Sequence, residues 1–325
     1  MNITRRDAIR KTVCFSSAVL AGNLLSRVGA QPRLLNPNPG GLHLLAVGDF
    51  GSANQEQIDV ANQMSAFAEN LKAPLAGVLA LGDNFYGKFK MERFQSGFED
   101  MYSKKTLNCD FYACLGNHDY EFVGKGEAVQ LVKADYQLRY AKENPQSRWK
   151  LPAKWYVHEF KDSTGPLVRM IVLDGNKELT REEIAAQNQF LEAELERKTT
   201  APWTWMVNHF PLFTSSVQRE DDEALIKRWG PLLKKHNISH FIAGHDHSLQ
   251  HLEVEGYNTS FIISGGGGRA LHKVKDTPRG FTKSQLGFNH IHVDRQAITT
   301  QYIDDKGNIL HTFKRDTAGK VTLGV

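Results

Sequence analysis

The chain has 325 residues, of which 41% are hydrophobic and 23% charged, with three cysteines and a formal net charge of +4 at pH 7. That length and apolar content can bury a sizeable core, and no internal repeat or low-complexity tract appears, so repeat and low-complexity architectures are excluded. The positive charge belongs to the first thirty residues: without them Arg5, Arg6, Arg10, Lys11 and Arg27 are lost against the single acid Asp7, the remainder is neutral, and no global charge argument for a nucleic-acid or membrane partner survives.

In chain order, Thr4-Arg5-Arg6-Asp7-Ala8-Ile9-Arg10 precedes the mildly apolar stretch Thr12 to Leu25, and Val28-Gly29-Ala30 supplies small residues for cleavage. This pattern resembles a twin-arginine export signal over residues 1–30. The stretch is short of the roughly 20 apolar residues that a membrane span needs. Residues 31–325 are then expected to form a single domain, periplasmic or secreted, handed to the export machinery as a folded precursor and free of the membrane after cleavage.

Five apolar runs follow: Leu42 to Val47, Gly77 to Leu81, Phe111 to Leu115, Trp203 to Val207 and Phe241 to Ala243. They read as buried strands of an α/β fold, whose carboxyl ends are where open sheets place their sites. Helices are expected over about Gln55 to Leu71, Glu182 to Lys198 and Asp221 to Lys235, the second opened by the capping box Thr180-x-x-Glu183. Arg219 to Glu223 reads as a solvated helix start. Beyond Phe288 the pattern alternates as strands, with Asp304 to Asn308 as a hairpin turn.

Polar motifs sit at the ends of these runs: Gly48-Asp49-Phe50-Gly51, Gly82-Asp83-Asn84-Phe85-Tyr86, Gly116-Asn117-His118-Asp119, Asn208-His209-Phe210 and Gly244-His245-Asp246-His247. Carboxylate and phenolate oxygens suit hard cations, imidazole suits borderline divalent ions, and an Asn carbonyl coordinates without adding charge. The set is therefore built for two unlike metals, and one carboxylate must bridge them if they are to sit roughly 3.5–4 Å apart. Asp83 is the candidate bridge. In His245-x-His247, alternate residues of an extended segment point the same way and can address neighbouring ions.

The five blocks in this order resemble the calcineurin-like metallophosphoesterases, and Tyr86 in Gly-Asp-x-x-Tyr narrows the resemblance to purple acid phosphatases. Leu81 to Tyr86, Arg93-Phe-Gln, Phe98-Glu-Asp, Gly116 to Asp119 and Arg148-Trp-Lys-Leu-Pro152 before Trp155-Tyr156 are similar to the small tartrate-resistant type. The resemblance implies a four-layer α/β/β/α sandwich of two mixed sheets flanked by helices. It implies that Asp49, Tyr86 and His247 hold a ferric ion, that Asn117, His209 and His245 hold a divalent ion (iron, zinc or manganese), and that Asp83 is shared. A phenol with a reference pKa of about 10 binds as phenolate only beside a strong Lewis acid, which Fe(III) provides.

Five positive charges from the ions less three from Asp49, Asp83 and a deprotonated Tyr86 leave a site of about +2, suited to a tetrahedral oxyanion. The implied reaction is hydrolysis of a small phosphate monoester by metal-bound hydroxide. His118 matches the family's histidine that contacts the phosphate and protonates the leaving oxygen. Asp119 either orients His118 or caps its loop. One departure touches the substrate: Val217 and Gln218 stand where mammalian-type relatives carry Glu and His, with Glu220 close enough to substitute, and Tyr120 stands where close relatives carry His. A phosphodiesterase or nucleotide hydrolase on the same two metals, and a non-catalytic oxyanion- or partner-binding protein, are the alternatives.

Gly265 to Gly268 lacks the Lys-Ser/Thr of a phosphate-binding loop and reads as a flexible loop near the site. Trp149, Trp155 and Tyr156 read as packing. Cys109 and Cys114 would stand roughly 16 Å apart on an extended strand, too far for a disulfide. No stable nucleic-acid partner is expected, and the chain is expected to act as a monomer.

Overall fold

Leu42–Val47 forms β1, and all but its first residue are buried, as a continuous apolar run at the centre of a sheet demands. The structure, a computed structural model, describes residues 41–123 and 132–324. The export-signal expectation for residues 1–30 lies outside them. The strands that follow are β2 (Leu75–Ala80), β3 (Phe111–Ala113), β4 (Trp149–Lys150), β5 (Tyr156–Asp162), β6 (Gly165–Val172), β7 (Trp203–Val207) and β8 (His240–Ala243). They continue as β9 (Leu249–Glu253), β10 (Ser260–Ser264), β11 (Gly280–Lys283), β12 (Gly287–Val293), β13 (Ala297–Asp304), β14 (Ile309–Asp316) and β15 (Val321–Leu323). The helices are α1 (Gln55–Asn70), α2 (Lys133–Glu143), α3 (Arg181–Glu196) and α4 (Glu223–Lys235).

Two mixed sheets result. One has the order β15-β14-β13-β12-β1-β2-β3-β4 and the other β11-β9-β10-β8-β7-β6-β5. In the first, β1 to β4 run parallel and the carboxyl-terminal strands form an antiparallel meander joined to β1 through β12. In the second, β6, β7, β8 and β10 are parallel. The sheets face each other: Tyr302 Oη donates to the Gln250 carbonyl at 2.7 Å, Ser264 Oγ to that of Ala46 at 2.9 Å, and Trp203 Nε1 to that of Asp294 at 2.6 Å. Helices cover the outer faces. Phe67 of α1 meets Phe288 edge to face, while Leu191 of α3 and Leu225, Trp229 and Leu233 of α4 join Ile171, Met206, Phe241 and Phe261 in one apolar cluster. This is the four-layer sandwich expected from the sequence.

All five apolar runs become strands, and the helices begin within two residues of their expected starts. Thr180 caps α3 as the sequence indicates: its hydroxyl accepts from Glu183 N–H and Glu183 Oε2 accepts from Thr180 N–H. The hairpin turn between β13 and β14 contains Gly307 at φ +86°, a left-handed conformation that glycine adopts at no steric cost. Helix α2 and the β5–β6 hairpin were not anticipated. Trp149 and Tyr156 are buried, and Cys109 and Cys114 are both free thiols. No helix among the described residues is long and apolar enough to cross a membrane.

One expectation is corrected. Gly265 to Gly268 is a buried, closely packed loop, with Gly267 N–H donating to the Gly48 carbonyl at 3.0 Å and Gly265 N–H to that of Ser248 at 3.0 Å. A Cβ on Gly265 would stand 3.0 Å from Asp49 Oδ2, and one on Gly267 would stand 2.8 Å from the Phe50 Cβ, so close approach selects glycine here.

Candidate metal centre

The carboxyl ends of β1, β2, β3, β7 and β8 meet where the two sheets face each other, and each delivers one motif. Three of the delivered residues have left-handed backbones without being glycine: Asp49 at φ +59°, Asp83 at +52° and His245 at +67°. Such a conformation costs on the order of 1–2 kcal/mol for an L-residue and persists only where surrounding contacts enforce it. Here the turns are pinned by Asp49 N–H donating to the Gly82 carbonyl at 3.0 Å and His245 N–H donating to Asp49 Oδ2 at 2.8 Å. The strain aims ligand-type side chains at one point.

Asp49, Asp83 and His209 offer donor atoms all within 4.8 Å of one another, and all three are buried. Tyr86 Oη donates to Asp83 Oδ2 at 3.0 Å and to Asp49 Oδ1 at 3.2 Å, and lies 3.5 Å from His247 Nε2. His247 Nε2 is itself 3.3 Å from Asp49 Oδ1. Across the site, His209 Nε2 is 3.5 Å from Asp83 Oδ1 and 3.1 Å from His245 Nδ1. Asn117 Oδ1 is buried with no hydrogen-bond partner, as a carbonyl reserved for a cation would be. Asp83 thus stands between the Asp49, Tyr86, His247 group and the His209, His245 group, on which side the unpartnered Asn117 carbonyl also belongs in the sequence reading.

The carbonyls behind the ring nitrogens fix which nitrogen faces inward. His209 Nδ1 lies 2.7 Å from the Leu81 carbonyl and His247 Nδ1 lies 2.7 Å from that of Ala270, leaving both Nε2 atoms turned to the centre. Two buried carboxylates and a phenol in one cavity call for positive charge. Burial, followed by the Asp49 and Asp83 charges, raises the Tyr86 phenol well above its ordinary value, so phenolate needs a bound cation to form. Burial would raise the Asp49 carboxyl, but the His247 hydrogen bond and nearby histidines pull it below the usual range. The donor set fits two cations, hard on the Tyr86 side and borderline on the imidazole side.

His118 lies on a short 3₁₀ turn, Asn117–Tyr120, opened by Gly116. Its N–H donates to Asp83 Oδ1 at 2.8 Å and its Nε2 lies 4.0 Å from Asp83 Oδ2, facing the centre. Asp119 caps the loop: its carboxylate accepts from the N–H groups of Asn84 and Gly116 and from Gln137 Nε2, and forms no hydrogen bond with His118. His118 Nδ1 instead meets Glu121 Oε1 at 2.5 Å. Tyr120 Oη donates to Asp174 Oδ2 at 2.6 Å, a part-buried contact with the buried Asp174 carboxylate.

The segment after His209 is also corrected. Arg219 to Asp222 precedes α4: Asp222 is the N-cap, and Arg219 turns to the site, with Nε 3.0 Å from Asp246 Oδ1 and a contact from Nη1 to His245 Nε2. Val217 is half exposed, and Glu220 pairs with Lys275 at 3.5 Å in solvent. Arg219, Glu220 and His245 help to line a small cleft of about 170 Å³ beside the site. Opposite, the Arg269 guanidinium sits 4.5 Å over the Tyr86 ring, and His272 stacks on His247 at 4.1 Å. Neither Arg219, Arg269, His272 nor Glu121 belongs to a motif, and only their places beside the motifs in space reveal them. A larger cavity of about 1060 Å³, bordered by Tyr112, Leu138, Leu151 and Tyr156, contains no residue of the five polar motifs.

A profile of the calcineurin-like phosphoesterase family matches residues 42–249, more than half of the chain. The chain belongs to that family. Its relatives include purple acid phosphatase 7 of Arabidopsis thaliana, 27% identical over 92% of this chain and 95% of the relative, and tartrate-resistant acid phosphatase type 5 of Sus scrofa, 27% identical over 92% and 93%. Among solved structures it is similar to GAP50, described as the anchor in the inner membrane complex of Plasmodium, with a TM-score of 0.73 at 22% identity over 85% of this chain and 89% of that one. It is also similar to the purple acid phosphatase PPD1 from yellow lupin, with a TM-score of 0.63 at 16% identity over 85% and 54%. At these identities the solved structures bear on the fold alone.

Proposed function

We propose that this chain is an exported acid phosphatase that hydrolyses small phosphate monoesters at a two-metal centre. The observation that carries the reading is the buried convergence of Asp49, Asp83 and His209 donor atoms within 4.8 Å. The names of the relatives, purple and tartrate-resistant acid phosphatases, support the same reaction.

Asp49, Tyr86 and His247 would hold Fe(III), Asn117, His209 and His245 a divalent iron, zinc or manganese, and Asp83 would serve both. When bound, the ions supply the Lewis acidity that activates water and neutralises phosphoryl charge. The chain's own groups do the rest. His118 presents Nε2 to the centre, where an imidazolium can donate to the departing ester oxygen. Arg219 and Arg269 flank the site and favour an anion. In this reading Arg219 takes the charged role that Val217 and Gln218 cannot supply.

Residues 1–30 would direct the chain to the periplasm or the medium, where it acts as a monomer on a small-molecule ester. Cell fractionation with and without Arg5→Lys/Arg6→Lys tests the export. The activity is tested by the rates on 4-nitrophenyl phosphate and its bis-ester from pH 4 to 8 with iron-loaded mature protein and Asp83→Asn as the blank. A faster monoester rate absent from the blank supports the proposal. A faster diester rate replaces it with a phosphodiesterase, and no rate above the blank with two metals bound replaces it with a binding protein.

A further inference from the structure

His118 is held by more than its backbone. In a 3₁₀ turn the side chains three apart eclipse, and the turn Asn117–Tyr120 places Glu121 directly behind His118. Glu121 Oε1 is 2.5 Å from His118 Nδ1, and its other oxygen accepts from Lys133 Nζ at 2.6 Å. Lys133, at the start of α2, is fully buried and also donates to the Phe85 carbonyl at 3.0 Å. Its N–H donates to the Glu121 carbonyl at 3.1 Å, so Glu121 is tied at main chain and side chain. A buried ammonium is retained only where it is paired and hydrogen-bonded, and among the described residues its carboxylate partner is Glu121.

We propose that Glu121, anchored by Lys133, is the positioning residue for His118: it accepts the Nδ1 proton, fixes the ring, and turns Nε2 to the leaving-group oxygen. The inference rests on the phosphatase reading above. Burial would raise the Glu121 carboxyl, but hydrogen bonds from Lys133 and His118 outweigh it and hold the group below the usual range, so it stays an acceptor. As water adds to phosphorus and gives up a proton to solvent, the bond from phosphorus to the ester oxygen breaks and its electron pair remains on that oxygen. Nε2 of the imidazolium delivers the proton, and neutral His118 keeps Nδ1–H on Glu121. The products are the alcohol and inorganic phosphate.

General-acid assistance matters most for poor leaving groups. The test therefore compares an alkyl phosphate with 4-nitrophenyl phosphate on the metal-loaded enzyme. Glu121→Gln/Lys133→Met removes the dyad without leaving a buried charge unpaired, and Lys133→Met alone keeps the carboxylate on His118. For the double variant, a loss of roughly tenfold to a hundredfold in kcat/KM is expected for the alkyl ester and less than about threefold for the nitrophenyl ester. Histidine ¹⁵N NMR of the protein loaded with zinc alone is expected to move the His118 proton from Nδ1 toward Nε2 in that variant, which a merely structural change would not do. Equal losses on both esters with an unchanged tautomer overturn the proposal. Wild-type enzyme inactive on every ester overturns the phosphatase reading instead, and the NMR signature then decides whether Glu121 holds the ring.

Discussion

His245 Nδ1 lies 3.1 Å from His209 Nε2, while His209 Nδ1 lies 2.7 Å from the Leu81 carbonyl. The carbonyl only accepts, so His209 keeps its proton on Nδ1 and turns a lone pair to His245. Burial, followed by the positive fields of His209 and Arg219, holds the His245 imidazole well below its ordinary pKa. The His245 imidazole is therefore neutral and ready for a cation in mildly acidic solution.

The Asp49, Tyr86, His247 group behaves differently. Burial would lower His247, but its hydrogen bond and attraction to Asp49 raise it, and Tyr86 is raised by burial and by both carboxylates. A cation binding there must displace protons, and each proton displaced makes affinity rise about tenfold per pH unit. Iron uptake by this group should therefore weaken steeply as the pH falls. Calorimetry in buffers of different ionisation enthalpy counts the protons, and iron uptake without proton release would contradict the assignment.

Asp83 receives the Tyr86 hydroxyl on one oxygen and the His118 N–H on the other. Asp83→Asn should remove at least one bound ion per chain and lower kcat/KM by more than about a hundredfold, since a neutral amide cannot replace a shared carboxylate. Metal content by atomic emission, measured beside activity, checks this. Full activity with both ions retained would sink the bridging role.

Gly116 tests the geometry from a position that is not itself a ligand. Its φ of −102° suits any residue, but a Cβ there would stand 2.9 Å from His209 Cε1 and press on Asp83. Because that Cβ would also collide with the Asp83 backbone nitrogen, Gly116→Ala should lower the melting temperature while leaving a native-like circular dichroism spectrum, and weaken metal binding by at least roughly tenfold.

Acid sensitivity is built into the other end of β1. His43 packs on His290 and His292 beneath Phe67, with His43 Nδ1 2.9 Å from His290 Nε2. Burial pushes His290 down to about 3, with His43 and His292 lowering it further against a hydrogen bond with Gln301. The unfolded chain takes up the proton near pH 6.5 and the folded one only near 3, so stability is full above 6.5 and falls as the pH drops between these values. At pH 5 His290 alone accounts for a loss of about 2 kcal/mol. Melting temperature from pH 7 to 4.5 should fall less steeply in His290→Gln than in the wild type, and parallel curves would refute the assignment.

The strands and their motifs were legible because both are local. Leu42 to Val47 is an unbroken apolar run, and Gly48-Asp49 follows it directly, so the sheet edge and its carboxylate can be read together. Helix α2 was less legible because its buried side carries Lys133 and Gln137 beside Ala134, so the apolar residues of Lys-Ala-Asp-Tyr-Gln-Leu-Arg-Tyr-Ala-Lys-Glu do not mark the inward face. The β5–β6 hairpin turns at Ser163-Thr164, between Asp162 and Gly165. Those two residues are not one of the favoured two-residue hairpin pairs, and Gly165-Pro166 marks a turn without specifying a hairpin.

The sequence by itself determined the α/β class and the inventory of ligand-type residues, from Asp49 and Asp83 to His245 and His247, because apolar period and motif order are written along the chain, and the family resemblance those motifs carry implied the two sheets. Only the tertiary structure decided which groups serve them. Asp119 caps the loop while Glu121 holds His118, Arg219 turns inward while Glu220 stays in solvent, and the Gly265 to Gly268 loop is packed against Asp49. Each of those outcomes depends on distances between segments remote in the chain and on which buried polar group still lacks a partner. Neither quantity is a property of any local stretch of sequence.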